Sequence, residues 1–394
     1  MKKLFLLSTL AAGLFLTAAE EVPVKNFLDA NSWRRQKTAR LVLEQGKPCA
    51  VQLTNGTASC SAAGMTYPID GKGDINALYE GISFEVKGDG SDEWSCVLIG
   101  SSRAFQSHFY FPLKNKEWTK YTVSFADMAP ASDYTAGLCA KVPVGRLGTI
   151  IFNDYWNITW CNARRKNFTY QVRNFALVKK AVPRYAYEKY DKALSLDAVV
   201  KKMKSGQQVR LLCFGDSITA GTGLRKTDKR YAVLLGEALA KKYNNPRIVS
   251  DCAAVGGART KDSIAWLDRD LTKGLPDVAA MLIGYNNRSG GQTAEMYQKQ
   301  LELWIRHLLA RTKGQTAIIL IPTVPGVPRW FDQDDMAQAT YAVAKKYNCT
   351  VVPLDKAIKL LGPAVYRSKF LCDGVHPNQA GHQMFTNEIM KVFK

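Results

Sequence analysis

The sequence predicts a two-domain chain of mixed class, an all-β sandwich followed by an α/β domain built on a parallel sheet. Three observations carry this. The 394 residues exceed the roughly 100–200 over which one core normally closes. Residues 24–180 are a succession of short apolar or alternating runs punctuated by Gly, Asn, Asp and Pro, the spacing of a sandwich. Beyond Gln207 such runs alternate with segments of helical length, which implies parallel strands covered by helices on both faces. With 46% apolar and 22% charged residues the chain has the hydrophobic content that ordering requires.

The first residues read as an export signal: Lys2 and Lys3 give a positive start, Leu4 to Leu16 an apolar stretch, and Thr17-Ala18-Ala19 a small-residue cleavage site. Residues 1–19 are therefore expected to be removed, leaving a periplasmic or extracellular protein. The apolar run is shorter than the ~20 residues of a spanning helix, so no stable membrane insertion is expected.

Residues 20–182 form the expected sandwich, with strands near Arg40–Leu43, Ala50–Leu53, Gly81–Val86, Ser95–Ile99, Phe109–Leu113, Tyr121–Phe125, Leu147–Phe152 and Tyr170–Val178. Trp94, Tyr155, Trp156 and Trp160 sit in or near turn-like stretches, where aromatic faces either stack on sugar rings or pack into the core. Residues 183–206 read as a linker carrying a short helix that Gly206 ends. Residues 207–394 supply strands at Val209–Phe214, Arg247–Ser250, Val278–Ile283, Ala317–Pro322 and Thr350–Leu354. The helices expected between and after them are Tyr231–Tyr243, Thr260–Leu271, Thr293–Arg311, Asp335–Lys346 and Gly381–Val392. In such sheets the active site gathers at the carboxyl ends of the strands.

Composition narrows the partners. The nine cysteines are odd in number and contain no CxxC pair, so no metal site is implied. Cys49 with Cys60, or Cys139 with Cys161, are possible bridges that sequence leaves open. The net charge is +20, and residues 183–394 hold 32 basic against 19 acidic residues. Such a field favours anionic partners. Nucleic acid is not expected, because the chain has no long Lys/Arg block and no basic-aromatic motif.

The chemistry sits in four segments that each follow a strand or precede the last helix. In "LLCFGDSITAG" (211–221), Ser217 falls on the strand-to-helix turn, Gly215 permits a sharp bend and Asp216 can satisfy local amides. In "CDGVHPNQAGH" (372–382), the spacing lets Asp373 reach one imidazole nitrogen of His376 while the other faces a nucleophile. Only four histidines occur; His307 lies within a helix and His382 opens one, and both read as structural. "AAVGGART" (253–260) and "MLIGYNNRSGG" (281–291) offer the Gly257 amide and the Asn286 carboxamide as donors to a developing oxyanion.

In that order, Ser217, Gly257, Asn286 and His376 resemble the four blocks of SGNH (GDSL-like) hydrolases, with Asp373 completing the triad. The resemblance runs from Val209 to the C-terminus and implies a flavodoxin-like three-layer domain. It also implies ester hydrolysis through an acyl-Ser217 intermediate, without metal or other cofactor. The amides of Ser217 and Gly257 and the Asn286 side chain would hold the oxyanion. Two departures stand out: Ile218 where the family has Leu, and Asn287 where its third block usually has Asp. The second leaves open how that loop is tied down.

The segments 117–128 and 170–179 resemble late strands of galactose-binding-like jelly rolls found beside glycan-active enzymes. The pairing implies a secreted carbohydrate O-acetylesterase acting on an acetylated polysaccharide or glycan. A lipase or lysophospholipase is the second enzymatic reading, and a catalytically silent glycan-binding protein is the reading from another class. Arg225, Arg259 and Arg288 closely follow the catalytic blocks. They either grip a carboxylated sugar bidentately or are solvated charges, and Trp330 is a candidate wall of the site. Sequence does not give an oligomeric state.

Overall fold

The computed structural model describes residues 20–34, 39–55, 63–66, 78–100, 106–131, 149–152 and 168–394. The export signal, Tyr155, Trp156, Trp160, Cys60, Cys139 and Cys161 lie outside the described residues. Cys49 is a free thiol.

The N-terminal region folds into two antiparallel sheets. Its strands are β1 (Glu21–Pro23), β2 (Trp33–Arg34), β3 (Ala39–Glu44), β4 (Lys47–Asn55), β5 (Ala63–Thr66), β6 (Gly81–Lys87), β7 (Trp94–Gly100), β8 (Gln106–Pro112), β9 (Thr119–Ser124), β10 (Ala129–Pro130), β11 (Thr149–Phe152) and β12 (Phe168–Val178). One sheet runs β3-β4-β12-β6-β9 with β1 also on β12; the other runs β10-β8-β7-β11-β5-β2. Their facing sides share one core that includes Phe84, Phe111, Phe152, Tyr170 and Phe175. In β12 the buried positions Phe168, Tyr170 and Val172 alternate as a half-exposed strand requires. A register shift between Arg173 and Ala176, with Asn174 at φ 54, then moves the inward face on by one residue. Phe175 and Leu177 are buried as a result.

The C-terminal region is a parallel sheet, β13 (Val209–Gly215), β14 (Ile248–Ala254), β15 (Val278–Leu282), β16 (Ala317–Ile321) and β17 (Thr350–Val351). Its order is β14-β13-β15-β16-β17, the flavodoxin-like arrangement. Around it lie α1 (Leu196–Lys204), α2 (Ser217–Ala220), α3 (Tyr231–Lys242), α4 (Thr260–Ala265), α5 (Leu267–Asp270), α6 (Tyr285–Ser289), α7 (Ala294–Thr312), α8 (Asp334–Tyr347), α9 (Leu354–Leu361), α10 (Pro363–Phe370) and α11 (Gln379–Met390). Alternate residues of β13 feed two separate cores. Leu211 and Cys213 join Tyr231, Leu235 and Phe385 on one face; Leu212 and Phe214 join Trp304, Leu308 and Met336 on the other. The result is the three-layer build expected from the alternation of strands and helices.

The two regions are joined by a seam. Cys96 and Tyr110 of the sandwich form a small cluster with Val255, Ala258 and Trp266. The Tyr110 and Trp266 rings meet edge-on at 6.4 Å. The connecting stretch is stitched to both sides: the Arg184 amide donates to Asp127 at 3.0 Å and the Tyr187 hydroxyl to the same carboxylate at 2.8 Å. The Arg184 guanidinium reaches Asp268 at 2.6 Å, and Arg311 meets the same carboxylate at 2.6 Å. Burial raises the Asp268 carboxyl, but the two guanidiniums outweigh it and hold it at about 2.

Candidate active site

The strand order reverses at β13, and this creates a crevice at its carboxyl end. Gly215 closes the strand so tightly against β15 that a Cβ there would stand 2.5 Å from the Leu282 carbonyl oxygen and 2.2 Å from Thr219 Oγ1. The next residue, Asp216, caps α2: its Oδ1 accepts from the Ile218 amide at 3.0 Å. Ser217 is thereby the first residue of the helix, where a backbone amide has no intrahelical acceptor.

The turn before α11 brings the other two groups to the same edge. His376 Nε2 is 2.9 Å from Ser217 Oγ, and His376 Nδ1 is 2.7 Å from Asp373 Oδ2. The other oxygen of Asp373 accepts from the backbone amides of Val375 at 2.6 Å and His376 at 2.7 Å. Partial burial raises the Asp373 carboxyl, but these bonds outweigh it and hold it below the usual carboxylate value. The turn is closed by the Cys372 amide donating to the His376 carbonyl at 2.9 Å. Gly223 packs against it so closely that a Cβ there would meet Cys372 Sγ at 2.3 Å.

Two further loops flank Ser217. Gly257 adopts φ 78, a left-handed conformation that suits glycine. Asn286 is the second residue of α6, and its Nδ2 donates to Asp216 Oδ2 at 3.3 Å and to the Ala258 carbonyl at 3.2 Å. The carboxamide is therefore held between the residue beside Ser217 and the residue beside Gly257. Asp216 is 1% exposed, and burial pushes its carboxyl up to about 7. Asn287 is fully buried and ties the third loop down through a neutral network of Thr260, Gln292 and Gln300.

The arginines that follow these blocks are largely engaged elsewhere. Arg225 makes a two-pronged contact with Asp228 at 3.1 and 3.2 Å on the surface. Arg288 donates to Asp335 and to the Gln292 carbonyl. The guanidinium of Arg259 lies against Gly290. Trp330 is half-buried and packs toward Tyr366, with ring centroids 6.1 Å apart. Trp94 lines a cavity of about 290 Å³ in the seam, together with Tyr110, Tyr121, Tyr185 and the Arg184–Asp268 pair; the Ser217 relay does not border it. His307 is buried 4.4 Å from the Tyr187 ring, and His382 accepts from the Tyr231 amide at 3.2 Å.

A hydroxyl, an imidazole and a carboxylate in series at the carboxyl edge of a three-layer α/β sheet have the geometry of an esterase or acylhydrolase. Residues 213–384 match the model of the GDSL-like Lipase/Acylhydrolase family, and the parallel-sheet domain is a domain of that kind. Solved structures similar to the chain include an α/β hydrolase enzyme from the metagenome of Lake Arreo, Spain, with 24% identity over 48% of this chain and 97% of that one (TM-score 0.38). Another is a two-domain esterase active on acetylated mannans, with 21% identity over 53% of this chain and 56% of that one (TM-score 0.42). A third is an acetylxylan esterase from Geobacillus stearothermophilus, with 21% identity over 47% of this chain and 94% of that one (TM-score 0.37). No curated protein matches the chain.

Proposed function

We propose that the protein is an exported serine esterase that removes O-acetyl groups from a polysaccharide or glycan. The observation that carries the reaction is the unbroken relay from Ser217 Oγ through His376 to Asp373. In this reading Ser217 Oγ attacks the ester carbonyl carbon while its proton passes to His376 Nε2. Asp373 accepts from Nδ1–H and steadies the imidazolium. The oxyanion is received by the amides of Ser217 and Gly257 and by Asn286. Collapse breaks the bond to the sugar oxygen, which takes the proton from His376. Water, deprotonated by the same imidazole, then releases the acid and restores Ser217.

The openness of the relay supports a small acyl group on a bulky, hydrated alcohol. The Asp373 side chain is 54% exposed and that of His376 21%, whereas a long acyl chain calls for an apolar groove. The sandwich packed beside the hydrolase domain supports a glycan as the alcohol, and the basic charge of the chain supports an acidic one. Export rests on the first nineteen residues.

The test is release of p-nitrophenol from acetyl, butyryl and octanoyl esters by the mature protein, with Ser217→Ala as control. Acetyl preference that vanishes in the variant is the expected result. Octanoyl preference would replace the glycan reading with a lipid one, and turnover that survives Ser217→Ala would remove the acyl-serine mechanism.

A further inference from the structure

Two adjacent side chains, Asn286 and Asn287, both cross from the loop after β15 to the loop after β14. Asn286 Nδ2 donates to the Ala258 carbonyl at 3.2 Å. Asn287 Oδ1 accepts from the Thr260 amide at 3.3 Å and from its hydroxyl at 3.4 Å. On the far side Asn287 Nδ2 donates to Gln292 Oε1 at 2.7 Å and to Gln300 Oε1 at 3.1 Å. Both hydrogens and both lone pairs of the amide are thus used. Gln300 belongs to α7, whose Trp304 and Leu308 sit in the core, so the crosslink is anchored in a rigid helix. Gly290 adds a packing contact, since a Cβ there would stand 2.4 Å from Arg259 Cζ.

We propose that Asn287 is a positioning residue that fixes the separation of Gly257 and Asn286, and with it the shape of the oxyanion site. The inference rests on the acyl-serine reading above. Thr260 lies three residues past Gly257, and Asn287 is next to Asn286, so the two oxyanion donors are held in register by a bond between their neighbours. A neutral amide suits this place because it offers an acceptor to Thr260 and donors to two glutamine oxygens together.

The experiment measures kcat and KM for p-nitrophenyl acetate in wild type, Asn287→Ala, Asn287→Asp and Thr260→Val, with folding checked by thermal melting. Displacing donors that act only in the transition state lowers kcat and leaves KM nearly unchanged. Asn287→Ala should lose about 10- to 100-fold in kcat, somewhat less than outright removal of a donor. Asn287→Asp keeps the acceptor for Thr260, and the glutamine carboxamides can turn to donate; it should recover to within about fivefold of wild type, the worth of one ordinary hydrogen bond. Thr260→Val removes only the hydroxyl contact and should also cost about fivefold.

A folded Asn287→Ala variant with unchanged kcat overturns the proposal, as do equal losses in folded Asn287→Ala and Asn287→Asp. If neither Asn287 variant folds, unchanged kcat in Thr260→Val overturns it. Failure of the acyl-serine reading shows itself separately, as turnover that persists in Ser217→Ala.

Discussion

The side chains of the relay have separable duties. Asn286 is held by Asp216 and the Ala258 carbonyl before any substrate arrives; both Nδ2 hydrogens are engaged there, so one of these long bonds is exchanged for the oxyanion in the transition state. Asn286→Ala is expected to lower kcat for p-nitrophenyl acetate by about 10²–10³ with little change in melting temperature; a loss confined to KM would remove it from the oxyanion site. The meeting of Ser217, His376 and Asp373 is legible in the sequence, as are Gly257 and Asn286 as candidates, because each falls just after a strand or before the last helix. The partners of the arginines were not legible. Arg225 and Asp228 are three residues apart in a turn, a local pair that no helical period marks, whereas Arg288 and Asp335 are 47 residues apart and meet only through the fold. Nothing local marks Gln292 and Gln300 as the anchors of Asn287, since polar residues at such positions ordinarily face water.

At the scale of elements, most strands and long helices lie where hydrophobic period places them, and the exceptions have physical causes. The helix expected over Thr260–Leu271 is divided at Trp266, whose ψ is 1°. Its indole turns into the seam, where it is 2% exposed. β17 is only two residues long, because it is an edge strand followed by Pro353, which cannot donate to a ladder. Helices α9 and α10 were missed because Gly362-Pro363 divides them into segments too short for a clear period.

The turn after α2 packs against the turn bearing His376. Gly223→Ala forces a methyl onto Cys372 Sγ at a residue with φ 87. It should displace Asp373 and His376 and lower kcat by about tenfold or more, since misplacement near an ångström is costly to catalysis. Adding Cys372→Ala removes the obstructing sulfur and should restore part of the rate. No recovery in the double variant would mean that backbone strain, and not the clash, sets the loss.

Stability of the molecule as a whole should depend on acid through two buried imidazoles. Burial, with the arginines nearby, depresses His307 well below its usual value, and burial with Arg230 lowers His382 to about 4. The unfolded chain therefore takes up protons from about pH 6.5 downward that the folded chain refuses. Their contribution is complete above that pH and is lost as pH falls toward 4, by about 3 kcal/mol for His382 alone. Melting temperature should drop between pH 7 and 5, and His382→Gln, whose carboxamide oxygen can accept from the Tyr231 amide, should flatten that slope. An identical slope in the variant would exclude His382 as a source.

Among the described residues the sandwich packs against the Gly257 loop and supplies no group to the relay. Tyr110 and Cys96 pack against Val255 and Ala258, which flank Gly257, so deletion of residues 20–182 should sharply reduce esterase turnover. Full activity of a fragment spanning 205–394 would show that the Gly257 loop holds its shape unaided. The seam itself has a consequence for how the protein ages under heat. It is a small apolar cluster and a few ion pairs beside three much larger cores, and cooperative units of modest size open first. Loss of turnover on warming should then run ahead of the loss of secondary structure and reverse on cooling, so that the catalyst idles at temperatures where both of its halves are still intact.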